Sequence, residues 1–146
     1  MIYTELTVKA MKTAYNAHMG QTDKCGVPYI FHPYHLAEQM MTEYETCAAL
    51  LHDVLEDTDI TADQLYALFP EEIVNAVVLL THDKDTEYYD YIRAIKKDPV
   101  ARAVKLADLE HNSDPDRSAL IAEESSKLRK RLEKYAIAKH ILTEEK

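Results

Sequence analysis

Cysteine and glycine are both scarce in this sequence. Of its 146 residues, two are cysteine and two are glycine, and tryptophan is absent. Cys25 and Cys47 are too few for a disulfide framework and too far apart for a paired zinc knuckle, so we expect two free thiols. No apolar run approaches the roughly 20 residues of a membrane span. The first residues also lack the apolar core and cleavage site of a signal peptide, which predicts a cytoplasmic protein.

Positive charge is in the minority. The chain has 17 Lys and Arg against 26 Asp and Glu, a formal net charge of −9. Such a chain repels polyphosphate backbones, so we expect no nucleic acid polymer as a partner, and an anionic ligand would need a local cationic device such as a metal ion. With 47% hydrophobic and 29% charged residues, the composition is typical of a soluble globular protein. The length predicts one domain over residues 1–146.

Apolar residues recur at helical spacing along most of the chain, and no segment alternates as a strand does. Both glycines, Gly20 and Gly26, fall in MGQTDKCGVPYIFHP, the one stretch with the composition of a long loop. Helices are predicted over about 4–19, from Pro33, over 43–57, after a Thr61–Gln64 capping box, over 71–81, over 86–97, from Asp98 as N-cap with Pro99 next to about 111, and from Ser118 onward. The predicted fold class is all-α.

The sequence LLHDVLEDT places one imidazole and three carboxylates on one flank of the third predicted helix. Residues one turn apart share a side of a helix, so His52 lies beside Glu56, and Asp53 beside Asp57, away from the apolar face. A divalent cation needs donors held close together, and an adjacent His and Asp can supply two of them. A lone His-Asp pair is better explained by an acidic solvated face on an amphipathic helix, so other ligands are required.

Two further segments supply candidates. In VKLADLEHN, Asp108 could complete a metal shell, while Lys105 and Asn112 share its flank and could contact a phosphate. In GVPYIFHP, His32 lies just ahead of the second predicted helix, where its imidazole can be aimed into a neighbouring cleft. His111 falls near the apolar stripe of its helix, so we interpret it as a structural, half-buried histidine. The remaining histidines have no partner that the sequence can identify: His18, His35, His82 and His140.

Taken in order, AHMGQTDKCGVPYIFHP, LLHDVLEDT and VKLADLEHN resemble the hydrolase domain of the RelA/SpoT alarmone enzymes, a subfamily of the HD superfamily. The final RLEKYAIAKHIL is similar to the closing helix of that domain. The resemblance implies a single-domain HD-type helical bundle. The implied cofactor is one Mn²⁺, or another divalent transition metal, with four ligands: His32, His52, Asp53 and Asp108. The resemblance also implies that Glu56 and Asp57 position or deprotonate the attacking water, and that Asn112 lies near the nucleotide.

The sequence departs from the family pattern at two places. The loop after GQ usually carries a basic residue, whereas this chain has Asp23, followed by Lys24. An arginine plane can stack on a base and an aspartate cannot. Within the family's Ala-Asp-Arg-Leu-His-Asn, this chain has Leu109 and Glu110 in place of Arg-Leu, which predicts the loss of a cation near the substrate. We expect Lys24 and Lys105 to be the remaining substrate-binding cations.

The family's reaction releases pyrophosphate from the 3′ position of guanosine tetra- or pentaphosphate, and a hydrolase of this type is the leading hypothesis. The same metal chemistry on a nucleoside monophosphate or a dinucleotide phosphate is a second hypothesis. A non-catalytic module that senses a nucleotide is the third. The sequence is also compatible with a homo-oligomer, and the charges and tyrosines over residues 82–91 are compatible with a mobile lid.

Overall fold

The computed structural model describes residues 1–121 and 123–145. Within these residues the chain forms helices joined by turns and loops, with one isolated antiparallel bridge between Thr22 and Pro28. The prediction of an all-α fold is confirmed. In chain order the helices are α1 (Glu5–Ala17), α2 (Phe31–Glu38), α3 (Glu43–Leu51), α4 (Val54–Asp57), α5 (Ala62–Leu68), α6 (Glu71–Leu80), α7 (Tyr88–Lys96), α8 (Pro99–Asn112), α9 (Pro115–Ala119) and α10 (Ser125–Thr143).

Two predicted helix starts are confirmed by their capping bonds. Before α5, the Thr61 side chain accepts from the backbone N–H of Gln64 while the Gln64 side chain accepts from that of Thr61. Before α8, the Asp98 side chain caps the first turn, and Pro99 occupies the first helical position. These short signals act within a few residues, so the sequence alone is enough to place them.

The helix predicted over residues 43–57 is wrong in one respect: it is broken at His52 and Asp53. The helical run α3 ends at Leu51 and α4 begins at Val54, because Asp53 has φ −106° and ψ 2°. The predicted start of the second helix is also wrong. Helix α2 begins at Phe31 rather than at Pro33. Its first N–H groups bond to carbonyls of the preceding turn, with His32 N to Tyr29 O at 3.0 Å. His32 therefore lies inside the first turn of α2.

Two later boundaries also differ from the predictions. The helix predicted from residue 86 begins at Tyr88, because the side chain of Glu87 caps it by accepting from the Asp90 N–H at 3.0 Å. The helix predicted from Ser118 begins at residue 125 instead. Ser118 belongs to the short helix α9, which the Asp114 side chain caps.

The core is centred on α3, in which every residue from 46 to 51 is buried. Helices α1, α2, α6 and α8 pack against it. Cys47 lies fully within this core and Cys25 is half-buried, and both are free thiols. None of the described helices is both long and apolar enough to cross a membrane. Because α3 is so tightly enclosed, the residues at its carboxyl end, His52 and Asp53, meet the neighbouring helices α2 and α8.

Candidate active site

Three parts of the fold bring the predicted metal ligands to one point. His32 comes from α2, His52 and Asp53 from the break between α3 and α4, and Asp108 from α8. Ligand atoms of His32, His52 and Asp53 all lie within 4.8 Å of one another. The Asp108 Oδ1 atom lies 2.9 Å from His32 Nε2 and 3.7 Å from His52 Nε2. Two imidazoles and two carboxylates therefore surround a single position.

The His52 side chain presents a buried nitrogen to this position. Its Nδ1–H donates to the Ala49 carbonyl at 2.7 Å, which leaves Nε2 for the cluster. Among the residues that the structure describes, Nε2 has no aligned hydrogen-bond partner, although Asp53 Oδ2 is 3.0 Å away. A buried lone pair beside a carboxylate oxygen fits a cation between them. Without a metal a proton takes that place: burial lowers the pKa of His52, but Asp53 and Asp108 more than offset this and raise it.

Asp108 is oriented by two neighbours on its own helix. Lys105 Nζ donates to Oδ2 at 2.9 Å and Asn112 Nδ2 donates to Oδ1 at 3.0 Å. Burial alone would raise the pKa of Asp108, yet the Lys105 ammonium, the hydrogen bond from His32 and the charge of His52 hold it well below its usual range. Burial likewise opposes the charge on Lys105, and Asp108 raises that pKa above its usual value. The pair is therefore ionised, and its carboxylate faces the histidines.

Glu56 and Asp57, the predicted water-activating residues, lie on α4 directly after the ligand pair. Their carboxylate oxygens and one of Asp53 lie within 4.8 Å of one another. Glu56 Oε1 accepts the backbone N–H of His82 at 2.9 Å. Partial burial of the carboxyl group, together with the charges on Asp53 and Glu56, raises the pKa of Asp57 to about 6. Asp57 is therefore a stronger base than an ordinary aspartate and is still mostly ionised at neutral pH.

Tyr29 is a contact of the ligand cluster that sequence analysis did not assign. Its hydroxyl donates to Asp53 Oδ2. Burial and the Asp53 charge raise the pKa of Tyr29, so the hydroxyl keeps its proton at neutral pH. The ring of His18 lies 4.9 Å from that of Tyr29, and His18 Nδ1 lies 2.8 Å from Gln21 Oε1. His18, Gln21 and Tyr29 all belong to the segment between α1 and α2. Its composition does not indicate which of its side chains point inward.

The cluster lines a cleft of about 470 Å³, a volume within the range of small-molecule sites. Helix α7 and the loop before it border the cleft through His82, Tyr88 and Tyr91. Basic side chains also line it: Lys24, Lys105, Arg117, Arg131 and Lys134. Lys24 and Lys105 were predicted, and the other three were not. Five acidic residues line the same cleft, so in a chain of net charge −9 this lining has as many basic as acidic side chains.

Residues 109 and 110, at which the sequence predicts the loss of a cation, both lie outside the cleft. Leu109 is buried in the core. Glu110 is exposed and pairs with Lys139 at 2.7 Å. Neither residue lines the cleft. The two departures from the family pattern therefore leave the described cleft lining unchanged, and the loss of a substrate contact stays a prediction.

No protein-family model matches the chain. The chain is 35% identical, over 97% of its length, to a guanosine-3′,5′-bis(diphosphate) 3′-pyrophosphohydrolase of Spiroplasma citri, of which it covers 21%. It is 33% identical, over 94% of its length, to the bifunctional (p)ppGpp synthase/hydrolase SpoT of Escherichia coli K12, of which it covers 23%. Over nearly its whole length the chain is therefore similar to one part of these alarmone enzymes.

The chain spans less than a quarter of the length of those curated relatives. Its fold matches a solved structure of a metazoan orthologue of SpoT, which is described as hydrolysing ppGpp. The TM-score is 0.71 at 23% identity, and the match covers 97% of this chain and 85% of that one. The likeness confirms the helical fold implied by the three motifs.

Proposed function

We propose that this protein is a metal-dependent phosphohydrolase that releases pyrophosphate from the 3′ position of guanosine 3′,5′-bis(diphosphate). The observation that carries the proposal is the convergence of His32, His52, Asp53 and Asp108 beside a cleft lined with basic side chains. The relative from Spiroplasma citri is named for this reaction. The proposal treats residues 1–146 as one HD-type domain. A cytoplasmic location and a homo-oligomer stay predictions.

The proposed cofactor is one Mn²⁺ or another divalent transition metal. Two imidazoles and two carboxylates form a mixed nitrogen and oxygen set that suits such ions. The buried Nε2 of His52, facing Asp53 without an aligned partner, supports this assignment. When bound, the ion would supply a Lewis acid that lowers the pKa of the attacking water and offsets charge on the phosphate.

Glu56 and Asp57 are the proposed acceptors for the proton of the attacking water. Both carboxylates lie next to Asp53, so a water held between the ligand cluster and α4 is within their reach. The raised pKa of Asp57 makes it a better proton acceptor than an ordinary aspartate. The backbone N–H of His82 holds Glu56 in place, which fixes the direction in which its carboxylate points.

Lys24, Lys105 and Asn112 are the proposed substrate-binding residues, and Arg117 and Arg131 extend the same surface. A substrate with two diphosphate groups carries several negative charges, which cations on the cleft wall stabilise. Lys105 is bonded to Asp108, so it acts on the substrate mainly through its charge. Asn112 donates to Asp108 with its Nδ2, and its Oδ1 accepts from Arg117 at 3.3 Å.

The deciding experiment is pyrophosphate release from guanosine tetraphosphate by the Mn²⁺-loaded protein, with metal-stripped protein as the control. We expect release that depends on the metal. A nucleoside monophosphate and a dinucleotide phosphate are assayed alongside, and turnover of one of these alone would move the substrate while keeping the chemistry. A nucleotide that raises the melting temperature with no product formed would instead favour a sensing module.

A further inference from the structure

The two ring nitrogens of His32 face different residues. Nε2 lies 2.9 Å from Asp108 Oδ1, inside the ligand cluster. Nδ1 lies 2.7 Å from Nδ1 of His111. The His32 residue is only 5% exposed, so bulk water does not compete for either nitrogen. His111, interpreted from the sequence as a structural histidine, is therefore in direct contact with a candidate metal ligand.

We propose that His111 is a positioning residue for the metal centre: its Nδ1 accepts the Nδ1–H of His32 and so directs the His32 Nε2 lone pair at the metal. The inference rests on the proposed function, because it requires His32 to be a ligand. Two nitrogens at 2.7 Å share one proton. When the metal replaces the proton on His32 Nε2, that nitrogen is unprotonated, so the shared proton lies on His32 Nδ1. Carboxylates and backbone carbonyls commonly take the accepting role beside a metal-binding histidine, and here an imidazole takes it.

The geometry of the two rings fits such a bond. Their planes differ by 10° and their centroids are 4.9 Å apart. This separation is close to the largest that a 2.7 Å contact between ring nitrogens allows, so the two nitrogens point at each other in line. A linear approach is what an N–H···N bond requires.

His111 is itself held in position from two sides. Its backbone carbonyl accepts Nη1 of Arg117 at 2.7 Å. Its ring lies against that of His35, with centroids 4.2 Å apart. His111 follows Asp108 by almost one turn of α8, so a single helix supplies one ligand directly and supports a second. A support on a rigid helix holds a ligand more accurately than one on a loop does.

The test measures Mn²⁺ affinity by calorimetry for four metal-stripped proteins: wild type, His111→Ala, His111→Asn and His140→Ala. We expect His111→Ala to weaken binding by about 10- to 100-fold, the usual effect of removing such a partner. His111→Asn should recover much of the loss, because its Oδ1 offers an acceptor close to the former Nδ1. His140→Ala removes an exposed imidazole on α10 that does not line the cleft, and it should keep the wild-type affinity.

Equal Mn²⁺ affinity of wild type and His111→Ala, at equal metal-free melting temperature, would overturn the inference and leave the proposed function standing. A wild type that binds no Mn²⁺ would contradict the proposed metal centre instead. If His111→Ala does not fold, ¹⁵N-histidine NMR of the wild type with diamagnetic Zn²⁺ bound tests the inference instead. We expect His32 protonated at Nδ1 and ligated through Nε2, with His111 Nδ1 unprotonated, and a His32 without the Nδ1 proton refutes the assignment.

Discussion

Nη2 of Arg117 lies 3.6 Å from Oδ2 of Asp23, an ion pair that joins the loop before α2 to helix α9. Asp23 Oδ1 also accepts the backbone N–H groups of Cys25 at 2.8 Å and Val27 at 3.0 Å. These bonds close the turn in which Gly26 adopts φ +82°, a conformation that favours glycine. At a position where related enzymes usually have a basic residue, this chain therefore has an acid that anchors a cation from elsewhere in the chain.

Asp23→Ala should lower the free energy of unfolding by about 2 kcal/mol at neutral pH, because it removes two loop hydrogen bonds and one ion pair. Burial alone raises the pKa of Asp23, but the bonds from Val27 and Cys25 and the Arg117 charge hold it below its usual value. The stabilisation is therefore complete above the unfolded pKa, about 3.9, and is lost as the pH falls through the lower folded value.

Urea unfolding of both proteins at neutral pH and in steps below about pH 4 measures this difference. Asp85→Ala is the matched control, since Asp85 is an exposed aspartate in another loop and its removal should change little. A difference between wild type and Asp23→Ala that stays constant down to the lowest pH would show that the carboxylate is not the source of the stability.

Variants of Asp53 and Glu56 should distinguish the residue that binds the metal from the residue that activates the water. Asp53→Ala removes a ligand, so we expect it to abolish both bound Mn²⁺ and turnover. Glu56→Ala leaves the ligands His32, His52 and Asp53 in place, so Mn²⁺ should remain while the rate falls by about 100-fold or more. Metal content by elemental analysis and initial rates on guanosine tetraphosphate give both quantities. Wild-type turnover by Glu56→Ala would remove this residue from the proposed mechanism.

The parts of this structure that could be predicted are those governed by near neighbours in the chain. The Thr61 capping box and the Asp98–Pro99 start act over three or four residues. The break at His52 could not be predicted from periodicity, because the apolar spacing continues across it. There the Nδ1–H of His52 bonds to a carbonyl of its own helix, and the turn that follows frees Nε2 for the cluster.

Contacts between distant segments account for the other features that sequence analysis missed. Arg117 falls between two predicted helices, so its pairing with Asp23 could not be inferred from the local sequence pattern. His111 was interpreted as a structural, half-buried histidine because it lies near an apolar stripe, and its partner, His32, belongs to another helix. The three ordered motifs did identify which residues would meet, but only the fold shows how each one is supported.

Leu51→Ala tests how much the core around α3 contributes to the stability of the fold. The Leu51 side chain is fully buried at the end of α3, directly before His52. Leu51→Ala should lower the free energy of unfolding by about 2–5 kcal/mol through lost burial and a residual cavity. Leu68→Ala, at a leucine that is 47% exposed, is the control and should cost much less. Urea unfolding measures both, and equal losses would contradict the central place given to α3.

Removing one charge of the buried Lys105–Asp108 pair should lower the free energy of unfolding far more than removing both. Their side chains are only 13% and 10% exposed, and Nζ lies 2.9 Å from Oδ2. Asp108→Asn leaves the ammonium buried without its counter-charge, so metal-free protein should lose about 3–5 kcal/mol of stability. Adding Lys105→Met replaces that ammonium with an apolar chain of similar length, so the double variant should regain much of the loss.

Urea unfolding of metal-stripped wild type, both single variants and the double variant completes this cycle. The same four proteins are then titrated with Mn²⁺. If Asp108 is a ligand, the double variant should recover stability without recovering metal affinity, because the carboxylate is absent from both Asp108 variants. Additive losses in the unfolding cycle would show that the two charges do not depend on each other, and wild-type Mn²⁺ affinity in Asp108→Asn would exclude Asp108 from the metal shell.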